Sequence, residues 1–159
     1  MFYNIDSVCT VNGEKDQGEI FISNGECALN KELLKDLKIT HVLNAAAGEI
    51  HSGHTYYTNL KIKYFGLVLS DLPNTNISLY FDRIADFIHR GLSEKGKIIV
   101  HCAMGISRSA TCVIAYLIKF CGMDTLEAVK FLQQKRGIVQ PNFGFISQLQ
   151  TFEKKCAKN

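Results

Sequence analysis

The 159-residue sequence has no tryptophan and only two prolines, and no tract rich in proline, glycine or serine interrupts it. Nothing in it therefore reads as a linker or a repeat, and we expect one domain over residues 1–159, with a core at about 15–156. No apolar run is long enough to span a bilayer, which argues against a membrane partner. Charge is nearly balanced, 18 Lys+Arg against 15 Asp+Glu, and no block of one sign occurs, which argues against nucleic acid. The six cysteines form no Cys-x-x-Cys pair and no Cys/His zinc spacing, so no metal is expected and a reducing compartment fits best. The N-terminus lacks a basic segment followed by an apolar run, and Phe2 rather than glycine follows Met1. Neither secretion nor myristoylation is expected, and a cytoplasmic location, or a nuclear one as well, is.

What is present is an alternation of strand and helix patterns. Short β-branched or apolar runs at residues 20–22, 41–44, 64–69 and 97–100 have the length of buried strands. Asn30 can cap a helix through Leu37, and Ser78 one through about Leu92, with Phe81, Ile84, Ala85, Ile88 and Leu92 at helical spacing. Residues 110–120 are apolar on nearly every side and predict a helix buried against a sheet. Asp124 with Glu127 forms a capping box ahead of Leu126, Val129 and Leu132 on an inner face. After Pro141 a last helix places Phe145, Ile146, Leu149 and Phe152 on one side. The order predicts an α/β domain with a mostly parallel central sheet flanked by helices.

The stretch that carries chemistry is Ile99-Val100-His101-Cys102-Ala103-Met104-Gly105-Ile106-Ser107-Arg108-Ser109, a strand passing through a short loop into the buried helix. Such a loop turns successive backbone N–H groups into one concavity, and the helix dipole adds positive potential there, so it suits a phosphate dianion. Gly105 permits a backbone conformation that a side chain could obstruct. Arg108 can present its planar guanidinium to two phosphoryl oxygens. At a helix N-terminus a thiol pKa falls to roughly 3.5–7.5, so Cys102 is expected to ionise and attack phosphorus. Against this stands the plain alternative of an inert core cysteine, which is the expectation for Cys112 and Cys121.

This stretch resembles the signature of the protein tyrosine phosphatase superfamily. Further segments are similar to its small atypical dual-specificity branch: residues 40–46 (Thr-His-Val-Leu-Asn-Ala-Ala), Tyr56-Tyr57, Ser70-Asp71-Leu72-Pro73, Phe87-Ile88 and Pro141-Asn142-Phe143-Gly144-Phe145. The resemblance covers most of the chain. It implies an enzyme without metal or other cofactor, acting on phosphorylated proteins through a phosphocysteine on Cys102. Asp71 takes the role of general acid and then base, with a turn residue before Pro73 as the alternative. His101 orients the loop and tunes the thiolate, or is only a hydrogen-bonded core residue. Ser109 donates to the departing sulfur, or only caps the helix. Ala103, Met104, Gly105, Ile106, Ser107 and Arg108 bind the substrate. Asn142 borders the site or caps the last helix, and Arg136 contacts a second phosphate or an acidic residue of a substrate, or merely faces water and complements the helix dipole.

None of the loop side chains between Cys102 and Arg108 is charged, whereas relatives acting on highly phosphorylated lipids commonly add Lys or Arg there. An apolar rim of Met104 and Ile106 suits a phosphotyrosine ring or a phosphothreonine methyl group. Two rivals stay open: a non-catalytic phospho-residue binding module, and a phosphatase of a non-protein phosphate.

Overall fold

The computed structural model describes residues 3–158. Four parallel strands form its centre: β2 (Glu19–Ser23), β3 (His41–Asn44), β4 (Lys63–Gly66) and β5 (Lys97–His101). An antiparallel edge strand, β1 (Ile5–Thr10), completes a five-stranded sheet in the order β1-β2-β5-β3-β4. β5 lies in the middle, paired with β2 and β3, so its C-terminal end is flanked on both sides. The expected α/β class and mostly parallel sheet are present.

Side-chain alternation on these strands feeds two cores, because successive residues of a strand point to opposite faces. Ile20, Ile22, Leu43, Ile98 and Val100 face the larger one, with residues of α3 (Phe81–Ser93), α4 (Arg108–Cys121), α5 (Thr125–Lys135) and α6 (Phe143–Ala157). Phe21, Val42 and Ile99 face the smaller one, closed by Ala28 of α1 (Gly25–Leu29), Leu34 of α2 (Lys31–Asp36) and Tyr57 of a 3-10 turn at Thr55–Leu60. Burial on both faces is why these strands read as continuous apolar runs. Helix α4 is buried from Arg108 through Ile118. Each of Val113, Ile114 and Leu117 in it contributes roughly 1.5–3 kcal/mol of burial.

Asn30 caps α2 through a 3.0 Å bond from the Leu33 amide, and Asp124 with Glu127 forms the expected capping box on α5. Six details differ. β1 is hidden from pattern reading because only Val8 in it is buried and a bulge falls between Ser7 and Cys9. Helix α1 has five residues, too few for a periodic stripe, and rests on its Asn24 cap. β4 ends at Gly66 rather than Leu69, since Val68 points to solvent at 78% exposure. Ser78 does not cap α3: it lies in a 3-10 turn, Ile77–Tyr80, with its hydroxyl bonded to Asn76. Leu126 is exposed rather than inward, because Thr125 and Ala128 occupy the inner face of the first turn of α5. Cys121, expected in the core, ends α4 in an exposed position, while Cys112 is buried as expected.

Candidate functional site

The chain leaves β5 at His101, turns through residues 102–107 and enters α4 at Arg108. Every carbonyl along this turn is held by the scaffold behind it. Ala103 O accepts from the Gly25 amide at 3.1 Å, and Ile106 O from the Gln140 amide at 2.9 Å. Gly105 O accepts from Arg136 Nε at 2.9 Å and Met104 O from Arg136 Nη2 at 3.4 Å. Ser107 O takes the amide and hydroxyl of Thr111 at 2.9 and 2.8 Å. In a trans peptide the N–H points opposite to the C=O, so the amides of residues 104–108 turn toward the hollow. That is an anion-binding nest at a helix N-terminus.

Gly105 sits at φ +70°, in the left-handed region, and a Cβ there would lie 2.7 Å from the Ser23 carbonyl oxygen. Glycine is thus required on both counts. Its amide donates to Cys102 Sγ at 3.2 Å, and Ser109 Oγ lies 3.2 Å from the same sulfur. The sulfur is recessed, with Cys102 2% exposed, whereas Met104 projects at 64%. Ile106 is half-buried and Ser107 buried. Ser107 Oγ turns away to accept from the Asn142 amide at 3.0 Å, so its contribution to the hollow is its backbone N–H.

Arg108 is 6% exposed, and its Nη1 donates to Leu69 O at 2.8 Å and to Glu49 Oε1 at 2.5 Å. Burial alone would lower the guanidinium pKa; the bond to Glu49, with the charges of Cys102, Glu49 and Asp71, more than offsets it and holds Arg108 above its ordinary value. In return the hydrogen bond from Arg108 holds the Glu49 carboxyl below the usual carboxylate range.

His101 donates from Nδ1 to the Cys102 carbonyl at 3.3 Å, while Nε2 is buried without a partner. Burial pushes its pKa down to about 4, only partly countered by that bond, so the ring is neutral near pH 7. The ring thus holds the Cys102 peptide by a hydrogen bond and places no imidazolium charge beside the sulfur.

Asp71 lies on the exposed loop after β4. Asn142 Nδ2 donates to Asp71 Oδ1 at 2.9 Å while Asn142 Oδ1 accepts from the Phe145 amide at 2.9 Å, so one side chain borders the site and caps α6. The two expectations for Asn142 are both met. Gly144 locks the same loop: a Cβ there would fall 2.0 Å from the Pro73 carbonyl oxygen.

Arg136 fits neither expectation. It is 3% exposed and donates to the loop carbonyls of Gly105 and Met104, to Asp6 Oδ2 at 2.8 Å and to Asn4 Oδ1. It thus fastens the 102–107 loop to the N-terminal strand. Sequence placed Arg136 near the site but with the wrong partners and did not mark Glu49 at all, because their partners lie far away along the chain and no local pattern encodes them.

The sequence matches the family described as "Dual specificity phosphatase, catalytic domain" over residues 20–155. It is 42% identical to "Dual specificity protein phosphatase 26" of Homo sapiens over 137 residues, which is 86% of this chain and 64% of that protein. It is 39% identical to human "Dual specificity protein phosphatase 13B" over 142 residues, 87% of this chain and 71% of that one. Among solved structures, the human tyrosine phosphatase-like serine/threonine/tyrosine-interacting protein superposes with a TM-score of 0.77 at 32% identity, covering 86% of this chain and 91% of its own. The strand-loop-helix hollow, its cysteine and its arginine are thus those of a tyrosine-phosphatase-like domain. The chain belongs to the dual specificity phosphatase catalytic-domain family.

Proposed function

We propose that this chain is a protein phosphatase that hydrolyses phosphotyrosine and phosphoserine/phosphothreonine monoesters through a phosphocysteine on Cys102. The observation that carries this reading is the convergence on one sulfur: Gly105 N–H and Ser109 Oγ both within 3.2 Å, at the mouth of a nest whose carbonyls all face away. Family membership and the named phosphatase relatives support it.

In the first step the Cys102 sulfur attacks phosphorus, the P–O bond to the side chain breaks, and Asp71 gives its proton to the leaving oxygen. The loop amides and Arg108 hold the equatorial oxygens as charge shifts across them. In the second step water attacks the phosphocysteine, Asp71 takes its proton, the S–P bond breaks, and Ser109 donates a hydrogen bond to the departing sulfur. His101 fixes the Cys102 peptide. Met104, Ile106 and Ser107 contribute backbone amides and Ala103 lines the start of the loop, with Met104 and Ile106 as an apolar rim. Phosphorylated proteins are the proposed partners.

The test is hydrolysis of p-nitrophenyl phosphate and of paired phosphotyrosine and phosphothreonine peptides, in EDTA with reductant, by wild type and Cys102→Ser. Turnover of both peptides, abolished in the variant, supports the proposal. Phosphopeptide binding with no turnover points instead to a binding module, and release of phosphate only from lipids or nucleotides points to a non-protein substrate.

A further inference from the structure

The phosphoryl fork of Arg108 is not vacant. Nη1 donates to Glu49 Oε1 at 2.5 Å and Nη2 to Glu49 Oε2 at 3.3 Å, so a carboxylate spans the two arms that a phosphoryl group needs. A carboxylate and two phosphoryl oxygens match the same planar donor geometry, and they cannot share it.

The two partners differ in how firmly they are held. Arg108 is nearly buried, and its bond to the Leu69 carbonyl at 2.8 Å remains when Glu49 leaves. The Glu49 side chain is 53% exposed, so core packing does not force the contact. Its backbone is pinned separately, by the Glu49 and Ile50 amides donating to Ala46 O at 2.9 and 2.8 Å and by Asn44 Nδ2 donating to Ile50 O at 2.8 Å. The side chain alone can therefore swing outward without disturbing β3 or the loop. Asp71 places a second negative charge near this carboxylate, which weakens its hold on the fork.

We propose that Glu49 is an internal anion that occupies the phosphoryl subsite of the free protein and must be displaced by substrate, making it the residue that sets the affinity of that subsite. This rests on the reading of the Cys102 loop as a phosphoryl site. Only the fraction of molecules with Arg108 released binds an oxyanion, so the apparent affinity falls by that fraction. The effect is uniform over ground and transition states, and on p-nitrophenyl phosphate it falls on KM rather than on kcat.

The test is calorimetric titration of inorganic tungstate, a tetrahedral oxyanion, into the full chain carrying Cys102→Ser, alone and combined with Glu49→Ala, Glu49→Gln or Glu49→Asp. The aspartate is shorter by one methylene, and all three changes lie at a half-exposed position compatible with folding. Tungstate is expected to bind the Glu49→Ala protein about fivefold tighter or more, the fold-change of an ion pair worth about 1 kcal/mol, with the glutamine and aspartate variants between. Unchanged or weaker binding in all three overturns the inference, and weaker binding makes Glu49 a support for Arg108. Tungstate binding to none of the proteins, the Cys102→Ser parent included, removes the phosphoryl subsite and with it the proposed function.

Discussion

Asn142 Nδ2 and Asp71 Oδ1 are joined by a 2.9 Å hydrogen bond that ties the proposed acid to the first turn of α6. The same asparagine accepts from the Phe145 amide, so holding the acid and capping the helix can be separated by substitution. Asn142→Ala loses both and is expected to cost about 1 kcal/mol of stability as well as activity. Asn142→Asp keeps a cap acceptor but cannot donate to Asp71, and sets a second carboxylate against it. Its melting temperature should stay close to wild type while kcat falls severalfold. Differential scanning calorimetry beside steady-state kinetics reads the split, and equal kcat in Asn142→Asp and wild type would sink this role.

The contact of Gly144 with Pro73 acts on the same loop. A Cβ at 2.0 Å from a backbone oxygen cannot be absorbed by a side-chain rotation, so Gly144→Ala must shift the segment carrying Asp71. We expect about 1–3 kcal/mol of destabilisation, the range of overpacking. The loss of kcat should be larger on a phosphothreonine peptide than on p-nitrophenyl phosphate, whose leaving group departs without a proton. Equal losses on the two substrates would separate this glycine from the acid.

Arg136 removes a different support. Arg136→Ala leaves the carbonyls of Gly105 and Met104 without their donor and Asp6 without its partner. The expected cost is about 2–4 kcal/mol by chemical denaturation, together with weaker oxyanion binding. Asp6→Asn, at a half-exposed position that can still accept from Arg136, should cost well under half of that. An Arg136→Ala protein as stable as wild type would show that the loop does not lean on β1.

Stability should also depend on pH through His101. Its pKa is about 4 in the fold against 6.5 unfolded, so between those values the unfolded chain binds a proton that the folded one does not. The contribution is fully present above pH 6.5 and is lost as pH falls toward 4, amounting to roughly 3 kcal/mol over the window. His41, its pKa lowered by burial against an opposing pull from Glu94, acts in the same sense. Urea unfolding across pH 4–7 should therefore show a shallower slope in His101→Asn, whose side-chain amide can still donate to the Cys102 carbonyl, without flattening it.

Much of this was legible in the chain. Two-sided burial turned Ile20 to Ile22 and Ile98 to Val100 into apolar runs, and full burial did the same for α4, so the centre of the sheet and its main helix could be placed directly. β1 could not, since an edge strand with one buried residue and a bulge has neither alternation nor a run. Leu126 misled because an apolar residue in a first helical turn need not face inward when Thr125 and Ala128 fill that side.

The sequence by itself determined the strand-loop-helix that carries Cys102, Gly105, Arg108 and Ser109, because a loop nest with its proposed nucleophile is a local device whose parts lie within eight consecutive residues. Only the tertiary structure decided what touches it. Glu49 reaches Arg108 from the turn after β3, Asn142 reaches Asp71 from the start of α6, and Arg136 ties the loop to Asn4 and Asp6. Those pairings follow from parallel strands ending side by side at one edge of the sheet, which gathers loops far apart in the chain around a single point. A hydrogen bond between such residues depends on distance in space, and no spacing along the sequence encodes it.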